Sequence, residues 1–348
     1  IIMDLLAIDD PQRTLPLANI SYKRTHGNPL YLIFFLKVLL REEYLKFNFG
    51  SFQWEWDVET IEEDTKLTEN AVEVTMQNMN QMNQDFGQRL QVAATLGSIF
   101  DERILSLVWS NLYDIDIDID DDDAHKSTLT QYLEEATELS FLEPVGGGRY
   151  RWAHDKIQEA ALSLISADEL PSFQARVGLI LLHHLKSEDL HSMNFVILNL
   201  VASKEGLSNE LDSATNIEIA KLAAMAAQKA KAMSAFGSTV KYAGIGMKHL
   251  PASKWEEHYK LTLDLYCAAA VAEGILANFD SMQSLCDQVF AKGRTILDKM
   301  PVYYAKARSK GRLGQFAEAI KLCLDAIDQL KAAKIRKNVV LQTTGMMA

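Results

Sequence analysis

Apolar residues recur at intervals of three or four along most of the 348-residue chain, which is the spacing of amphipathic helices. The segment after Pro29 is typical, because Leu30, Ile33, Phe34 and Val38 follow that interval. Pro29 fits the first turn of such a helix, where a missing N–H costs nothing. The pattern predicts a mainly α-helical protein with two or three domains.

Between residues 45 and 57 the period changes to two, in the segment LKFNFGSFQWEWD. Alternation of apolar and polar residues on both sides of Gly50-Ser51 predicts a β-hairpin with its turn at that pair. The return strand then carries an aromatic side formed by Phe52, Trp54 and Trp56. An aromatic side of this kind could bind a flat ligand, but we favour its packing against a neighbouring helix.

Residues 67–165 combine several short helical patterns with a turn at Gly146–Gly148 and the alternating segment RYRWAH. Short helices followed by a small hairpin are the order of a winged-helix domain. Many such domains bind DNA through one helix, but the segment QYLEEATEL would present several carboxylates to the phosphates. The whole chain is also acidic, with 35 basic and 47 acidic residues. Nucleic acid is therefore not expected as a partner.

A run of aspartates, DIDIDIDDDD, occupies residues 114–123 within this region. Alternating aspartates resemble a calcium-binding loop, but the glycine and the terminal glutamate that such a loop needs are missing. Like charges at this density repel one another and prefer solvent. We therefore predict a solvated acidic insert rather than a metal site.

The chain from residue 216 to 348 contains an internal repeat, in which SAFGSTVKYA, ANFDSMQSLC and GQFAEAIKLC can be superimposed. The repeat predicts paired helices joined by tight turns, with small residues where the helices cross closely and an aromatic residue between neighbouring pairs. The spacings of 43 and 37 residues exceed the 34 of a tetratricopeptide repeat. A degenerate solenoid of that type is predicted, preceded by linking helices at 166–215. Its packing aromatics are Phe236, Phe279 and Phe316, and its small turn residues are Ser234, Ala277 and Gly314.

Three cysteines lie in the predicted helices of this region, Cys267, Cys286 and Cys323. Their spacing fits no common metal site, and their neighbours are apolar. We predict that all three are reduced core residues and that the chain holds no metal ion.

The strongest candidate for chemistry is the pair His154 and Asp155, which lies where the RYRWAH strand changes into a helical pattern. A histidine beside a helix N-terminus adds an imidazole donor to free backbone N–H groups, which makes an anion site, and Asp155 could cap the helix. The pair could also be purely structural, or belong to a catalytic site. Catalysis is disfavoured because the nucleophile motif Gly-x-Ser-x-Gly is absent from the sequence.

Several segments together resemble the C-terminal portion of STAND-type AAA ATPases, namely KRTHGNPLYLIFFLKVLL, FQWEWDVETI, VAATLGSIFD and YRWAHDKIQEAALSLI. The resemblance covers nearly the whole chain except the acidic insert. It is closest to large signalling proteins in which such an ATPase lies between a Ser/Thr kinase domain and a histidine kinase domain.

This resemblance implies that residues Gly27, Asn28 and Pro29 of a helical lid contact the adenine side of a bound nucleotide. It also implies that His154 and Asp155 match the histidine and aspartate of a Met-His-Asp segment, whose histidine contacts the β-phosphate of ADP. Ala153 stands in the methionine position, so the histidine and the aspartate carry the match.

Neither a Gly-x-x-x-x-Gly-Lys-Ser/Thr phosphate loop nor a strand that ends in a magnesium-binding acidic pair can be found in the sequence. We therefore expect no enzymatic activity and no cofactor in this chain alone, and ATP or ADP with Mg²⁺ in an upstream NTPase core of a parent protein. The chain opens on IIMDLLAIDD, which we interpret as an internal start.

Taken together, these patterns predict a lid remnant at 1–66, a winged-helix domain at 67–165, and the helical repeats. The expected function is the regulatory portion of a nucleotide-dependent signalling protein, with an unidentified protein partner on the solenoid and kinase domains in the parent. An independent helical scaffold without a nucleotide role is the alternative. Apolar stretches are too short to cross a bilayer and no leader is evident, so we expect a cytoplasmic protein without a membrane partner.

Overall fold

The computed structural model describes residues 1–64, 79, 84–113 and 122–345 and shows a mainly helical protein with two small antiparallel sheets. Two compact units divide the chain. The first spans residues 1–167 except 111–114, and the second spans 111–114 and everything from 168 onward. Within the described ranges, no helix combines the length and the apolarity that a membrane span requires.

Four helices and a hairpin open the first unit. They are α1 (Ile2–Leu6), α2 (Pro11–Thr25), α3 (Pro29–Arg41), β1 (Leu45–Asn48), β2 (Gln53–Trp56) and α4 (Val58–Asp64). These elements share one apolar core, to which the four helices and β1 contribute buried aliphatic side chains and β2 contributes two partly buried tryptophans. The core members are Ile2, Leu6, Leu17, Ile20, Leu36, Leu39, Leu45 and Ile61.

Helix α3 begins at Pro29, which confirms the predicted first-turn position of that proline. Two of its buried side chains lie outside the spacing from which the helix was predicted. Leu36 and Leu39 are buried, whereas Ile33 is exposed and Val38 is only half-buried. The helix is apolar on nearly every side, so its sequence period alone could not show which side meets the core.

The hairpin between β1 and β2 packs as predicted on a neighbouring helix. Trp54 and Trp56 lie against the core of α1–α4. Arg13 of α2 donates a hydrogen bond to the Trp54 carbonyl at 2.5 Å, and its guanidinium lies 5.5 Å from the centre of the Trp56 ring. The prediction for Phe52 was wrong: it lies in the turn with φ +50°, and its ring is exposed.

The rest of the first unit consists of α5 (Gln84–Leu96), β3 (Ile99–Asp101), α6 (Glu102–Leu112), α7 (Asp122–Glu138), β4 (Leu142–Gly146), β5 (Arg149–Trp152) and α8 (Asp155–Ser163). The three strands form an antiparallel sheet in the order β3-β5-β4. Strands β4 and β5 are the predicted hairpin, and the glycines of its turn all have positive φ. Strand β3 was not predicted, because three residues are too few to show alternation.

Helix α7 begins at Asp122, so the last two residues of the predicted acidic insert belong to a helix. The remaining residues of that insert, 114–121, lie outside the described part of the chain. So does the predicted helical segment TENAVEVTMQNMNQM, apart from Met79.

The second unit is built from helices throughout. They are α9 (Leu170–His184), α10 (Ser187–Ser192), α11 (Asn194–Val201), α12 (Ser213–Ala232), α13 (Phe236–Lys248), α14 (Lys254–Glu257), α15 (Tyr259–Leu276), α16 (Phe279–Lys292), α17 (Ile296–Arg312) and α18 (Phe316–Gly345). Three helical hairpins follow one another: α12 with α13, α15 with α16, and α17 with α18. The first helix of each later hairpin packs on both helices of the hairpin before it, as α15 does on α12 and α13.

The turn inside each hairpin has the same backbone geometry. Ser234, Ala277 and Gly314 adopt left-handed conformations with φ of 58°, 66° and 73°. In each turn the next residue donates its N–H to the carbonyl five positions earlier, at 2.9, 3.0 and 2.9 Å. This bond closes the end of the first helix. All three residues are exposed, so their small size serves the turn and not, as we had predicted, the crossing of two helices.

The predicted packing positions of the repeat differ from one hairpin to the next. Phe279 packs against the core that surrounds α15, and Phe236 is half-buried. Phe316 is exposed, so its predicted role between neighbouring hairpins is not seen within the described residues.

The three cysteines also differ in burial. Cys267 and Cys286 are buried, and burial raises the pKa of their thiols to about 11 and about 12. Both therefore remain protonated at neutral pH. Cys323 is exposed, which corrects its prediction as a core residue.

Candidate functional site

The sheet of the first unit fixes the backbone that leads into α8. The Trp152 N–H donates to the Ser98 carbonyl at 3.2 Å, and the Ala153 N–H donates to the Phe141 carbonyl at 3.0 Å. The Trp152 side chain is buried beneath this backbone. Two neighbouring segments of the chain thus hold the residues immediately before His154 in place.

His154 is the N-cap of α8. Its backbone is extended, with φ −159° and ψ 147°, and its Nδ1 accepts a hydrogen bond from the Lys156 N–H at 3.0 Å. Our prediction that Asp155 caps the helix was therefore wrong, because Asp155 is the first helical residue and the ring of His154 fills the cap position. Histidine can take the N-cap position because its Nδ1 lies about as far from the backbone as the side-chain oxygen of asparagine, which is a preferred N-cap residue.

The cap determines the tautomer of the imidazole. Since Nδ1 accepts the Lys156 N–H, the neutral ring carries its proton on Nε2. His154 is exposed, so this Nε2–H is a donor on the surface of the first unit. The positive end of the α8 dipole lies beside it, and both features favour an anion.

Charged side chains surround the start of α8. Asp155 lies in the first turn, where the helix dipole favours a carboxylate. Lys156 forms an ion pair with Glu159, and this pair raises the pKa of Lys156. Tyr31, in the first turn of α3, raises the same pKa further.

The segment Gly27, Asn28 and Pro29 connects α2 to α3. Gly27 has φ +75°, and a Cβ at this position would lie 2.8 Å from Cε2 of Tyr22, so the turn requires glycine. The Asn28 Oδ1 accepts the Tyr31 N–H at 3.4 Å, and Pro29 then begins α3. Asn28 and Pro29 thus form a helix start of the usual kind.

A hydrogen bond connects α3 with the residue that precedes the three-stranded sheet of the first unit. The ammonium of Lys37, on α3, donates to the hydroxyl of Ser140, which precedes β4. Partial burial lowers the pKa of Lys37. The two predicted nucleotide-contacting segments therefore belong to helix starts of one compact unit.

A cavity in the second unit was not predicted from the sequence. It has a volume of about 510 Å³ and lies among α12, α15 and α17, with Lys231, Asp264 and Cys267 in its lining. Its residues are far apart in the sequence and join only through the stacking of the hairpins. Across the described ranges, no group of three or more His, Cys, Asp and Glu side chains is placed to hold a metal ion.

The fold and the site define a mainly helical protein whose candidate surface consists of exposed helix starts. Comparison with known proteins finds a similarity to a signalling protein. Hybrid signal transduction histidine kinase G of Dictyostelium discoideum is 23% identical over 332 residues, which cover 82% of this chain and 10% of that protein. The chain thus spans about a tenth of the length of the curated relative it matches. No family model and no solved structure matches the chain.

Proposed function

We propose that this chain is the regulatory C-terminal portion of a STAND or AAA-type ATPase in a signalling protein. The similarity to a hybrid signal transduction histidine kinase supports a role in signal transduction. In this proposal the parent protein supplies the NTPase core, with bound ATP or ADP and Mg²⁺, and the output kinase. The chain itself contributes no catalytic residue, and it controls which nucleotide state is favoured.

The order of elements in residues 84–152 supports a winged-helix domain. Helix, strand, two helices and two strands follow one another, and the first strand pairs with the last. In DNA-binding members of this class the helix before the last hairpin enters the major groove. Here that helix is α7, and Glu134, Glu135 and Glu138 are exposed on it. Those carboxylates would repel a phosphate backbone, so the domain fits an intramolecular role better than DNA binding.

The Nε2–H of His154 is the observation that carries the nucleotide proposal. This N–H lies beside the start of α8, where backbone N–H groups and the helix dipole also favour an anion. It is therefore well placed to contact a phosphate. We assign it to the β-phosphate of ADP in the closed state of the parent. Gly27, Asn28 and Pro29 would contact the adenine side of the same nucleotide from the start of α3.

The stacking of the three helical hairpins supports a degenerate tetratricopeptide-like solenoid. In the proposed switch this solenoid receives a protein partner or contacts the kinase domains of the parent. The pocket among α12, α15 and α17 is one place on it that could receive a side chain from outside.

Two substitutions of His154 in the parent protein separate sensing from capping. His154→Asn keeps an acceptor for the Lys156 N–H but removes the Nε2–H, and His154→Ala removes both. Losing one hydrogen bond to a charged phosphate costs about 1.5–3 kcal/mol, so both variants should release ADP about 10 to 100 times faster. Only His154→Ala should also lose about 1 kcal/mol of stability, because only it lacks a cap. The ADP off-rate and the melting temperature measure the two effects.

The alternative function is an independent helical scaffold without a nucleotide role. The cap formed by His154 favours it, because this hydrogen bond alone explains a histidine at the start of α8. The scaffold predicts that both variants release ADP at the unchanged rate while His154→Ala melts at a lower temperature. That result would exclude the sensing role.

A further inference from the structure

The pocket among α12, α15 and α17 combines an apolar lining with a side that is open to solvent. Cys267 and Ala268 of α15 are buried and line it together with Pro301 of α17. Lys231 and Ala232 of α12 line it too, and both are exposed. The volume of about 510 Å³ lies in the range of pockets that hold ligands. An aliphatic side chain from outside can therefore enter it.

One positive charge at this pocket has no acidic partner. The carboxylate of Asp264, which lines the pocket, accepts a hydrogen bond from the ammonium of Lys260 at 2.8 Å. On α17, the carboxylate of Asp298 accepts the Tyr259 hydroxyl at 2.6 Å. Across the residues that the structure describes, no carboxylate forms an ion pair with Lys231. The pocket thus offers an unpaired ammonium to a ligand.

Two arginines extend the positive charge along α17. Arg308 and Arg312 follow Pro301 by seven and eleven residues, close to two and three helical turns, so they lie on the same side of the helix. The Arg308 guanidinium donates to the Tyr304 hydroxyl at 3.0 Å, and that of Arg312 donates to the Gly274 carbonyl of α15 at 3.1 Å. Both arginines are exposed.

Basic residues on the other side of α17 are neutralised instead. Lys306 lies 3.6 Å from a carboxylate oxygen of Asp287, and Lys310 lies 2.7 Å from one of Glu318. On the pocket side, three basic residues form no ion pair within the described ranges. They are Lys231, Arg308 and Arg312. We call these three residues and the pocket the pocket face. Its positive charge is opposite in sign to that of the whole chain, which has 47 acidic and 35 basic residues.

We propose that the pocket face binds an acidic segment of a partner protein, with an aliphatic side chain of that segment in the pocket. This rests on the proposed role of the helical hairpins in receiving a protein partner. The aliphatic side chain contacts Cys267, Ala268 and Pro301, and removal of these surfaces from water supplies attraction. Carboxylates of the segment form charge-assisted hydrogen bonds with Lys231 and Arg308, which select an acidic partner.

Helix geometry sets the spacing of the groups in this segment. Arg308 lies about 10 Å along α17 from Pro301, because each residue rises about 1.5 Å. An extended chain covers that distance in about three residues. A carboxylate about three residues from the aliphatic side chain can therefore reach Arg308, and a neighbouring carboxylate can reach Lys231. A nucleic acid fits less well, because its long row of phosphates would also meet the acidic remainder of the chain.

Fluorescence anisotropy of the full chain tests the proposal. The probe is a short labelled peptide in which one central leucine has glutamates on both sides, and no nucleotide is added. Saturable binding is expected. Lys231→Glu and Arg308→Glu should each raise the dissociation constant at least about tenfold, because an attraction becomes a repulsion. The matched control is Lys241→Glu, which changes an exposed lysine of α13 outside the pocket face and should leave the dissociation constant unchanged.

Filling the pocket tests the apolar contact separately. Ala232→Leu adds a larger side chain at an exposed position of the lining. It should weaken binding of the leucine peptide about tenfold and leave binding of a peptide with alanine in its place unchanged. Circular dichroism verifies that each variant retains its helices.

Three results would overturn the proposal. The first is no saturable binding of the leucine peptide below about 1 mM. The second is equal affinity for a peptide with glutamine in place of every glutamate. The third is tighter binding of a single-stranded oligonucleotide than of the peptide. Because these measurements need no nucleotide, they are independent of the ADP off-rate, and a negative result here leaves the role proposed for His154 untouched.

Discussion

At the scale of single residues, His249 is the buried titratable group with the clearest consequence for stability. It lies at the end of α13, and its Nδ1 is 2.6 Å from Oδ1 of Asn216. The amide nitrogen of Asn216 donates to the carbonyls of Ser208, Leu211 and Asp212. Its oxygen is therefore the acceptor, and His249 donates through Nδ1–H. Burial lowers the pKa of His249, and Lys248 lowers it further.

This lowered pKa predicts a pH dependence of folding. The unfolded histidine, with a pKa near about 6.5, binds its proton before the folded one does as the pH falls. Stability should therefore be complete above about pH 6.5 and should decrease as the pH falls through that value toward the lower folded pKa. His249→Asn keeps an N–H at the position of Nδ1 but cannot titrate. Urea unfolding at about pH 7.5 and 5.5 should show a smaller loss for this variant. Equal losses in the two proteins would contradict the prediction.

At the scale of elements, two glycines of α13 show what determines the packing of neighbouring helices. A Cβ on Gly246 would lie 2.8 Å from Cδ2 of Leu265 on α15 and 3.1 Å from Cβ of Ala223 on α12. A Cβ on Gly244 would have no atom within 4 Å. Gly246 thus permits the close approach of three helices, whereas Gly244 has no such role.

Alanine substitutions at these glycines should change stability in opposite directions. Gly246→Ala should lower the free energy of unfolding by about 1–3 kcal/mol, because the added methyl forces α13 away from its neighbours. Gly244→Ala should raise it by about 0.5–1 kcal/mol, because alanine has the higher helix propensity and meets nothing. Chemical denaturation measures both values. A gain in stability for both variants would show that helix propensity, and not the close approach of the helices, dominates at these positions.

At the scale of the whole molecule, the division into two compact units predicts independent folding. The hairpins α12–α13, α15–α16 and α17–α18 pack on one another within the second unit. Residues 168–348 expressed alone should therefore give a helical circular dichroism spectrum and a cooperative thermal transition. A non-cooperative transition for this fragment would show that its stability depends on the first unit.

The sequence by itself determined the features that depend on near neighbours along the chain. The helical period, the start of α3 at Pro29, the tryptophan side of the hairpin and the glycine turn before β5 are of this kind, because propensity and turn chemistry act over a few residues. The repeat also placed Ser234, Ala277 and Gly314 at tight turns. For the candidate site, the change from strand to helix placed His154 at a helix start.

Only the tertiary structure decided which side of each element is covered. It buried Leu36 and Leu39 in place of Ile33, added β3 to the sheet, and left Phe316 and Cys323 exposed where the repeat predicted packing. It also showed that the His154 ring caps α8 by accepting the Lys156 N–H, which determines the position of the imidazole proton. The physical reason is the same in each case. Burial and hydrogen-bond partners depend on segments that are distant in the sequence. A pattern of apolar residues does not show which distant segment packs against a given face of a helix or strand.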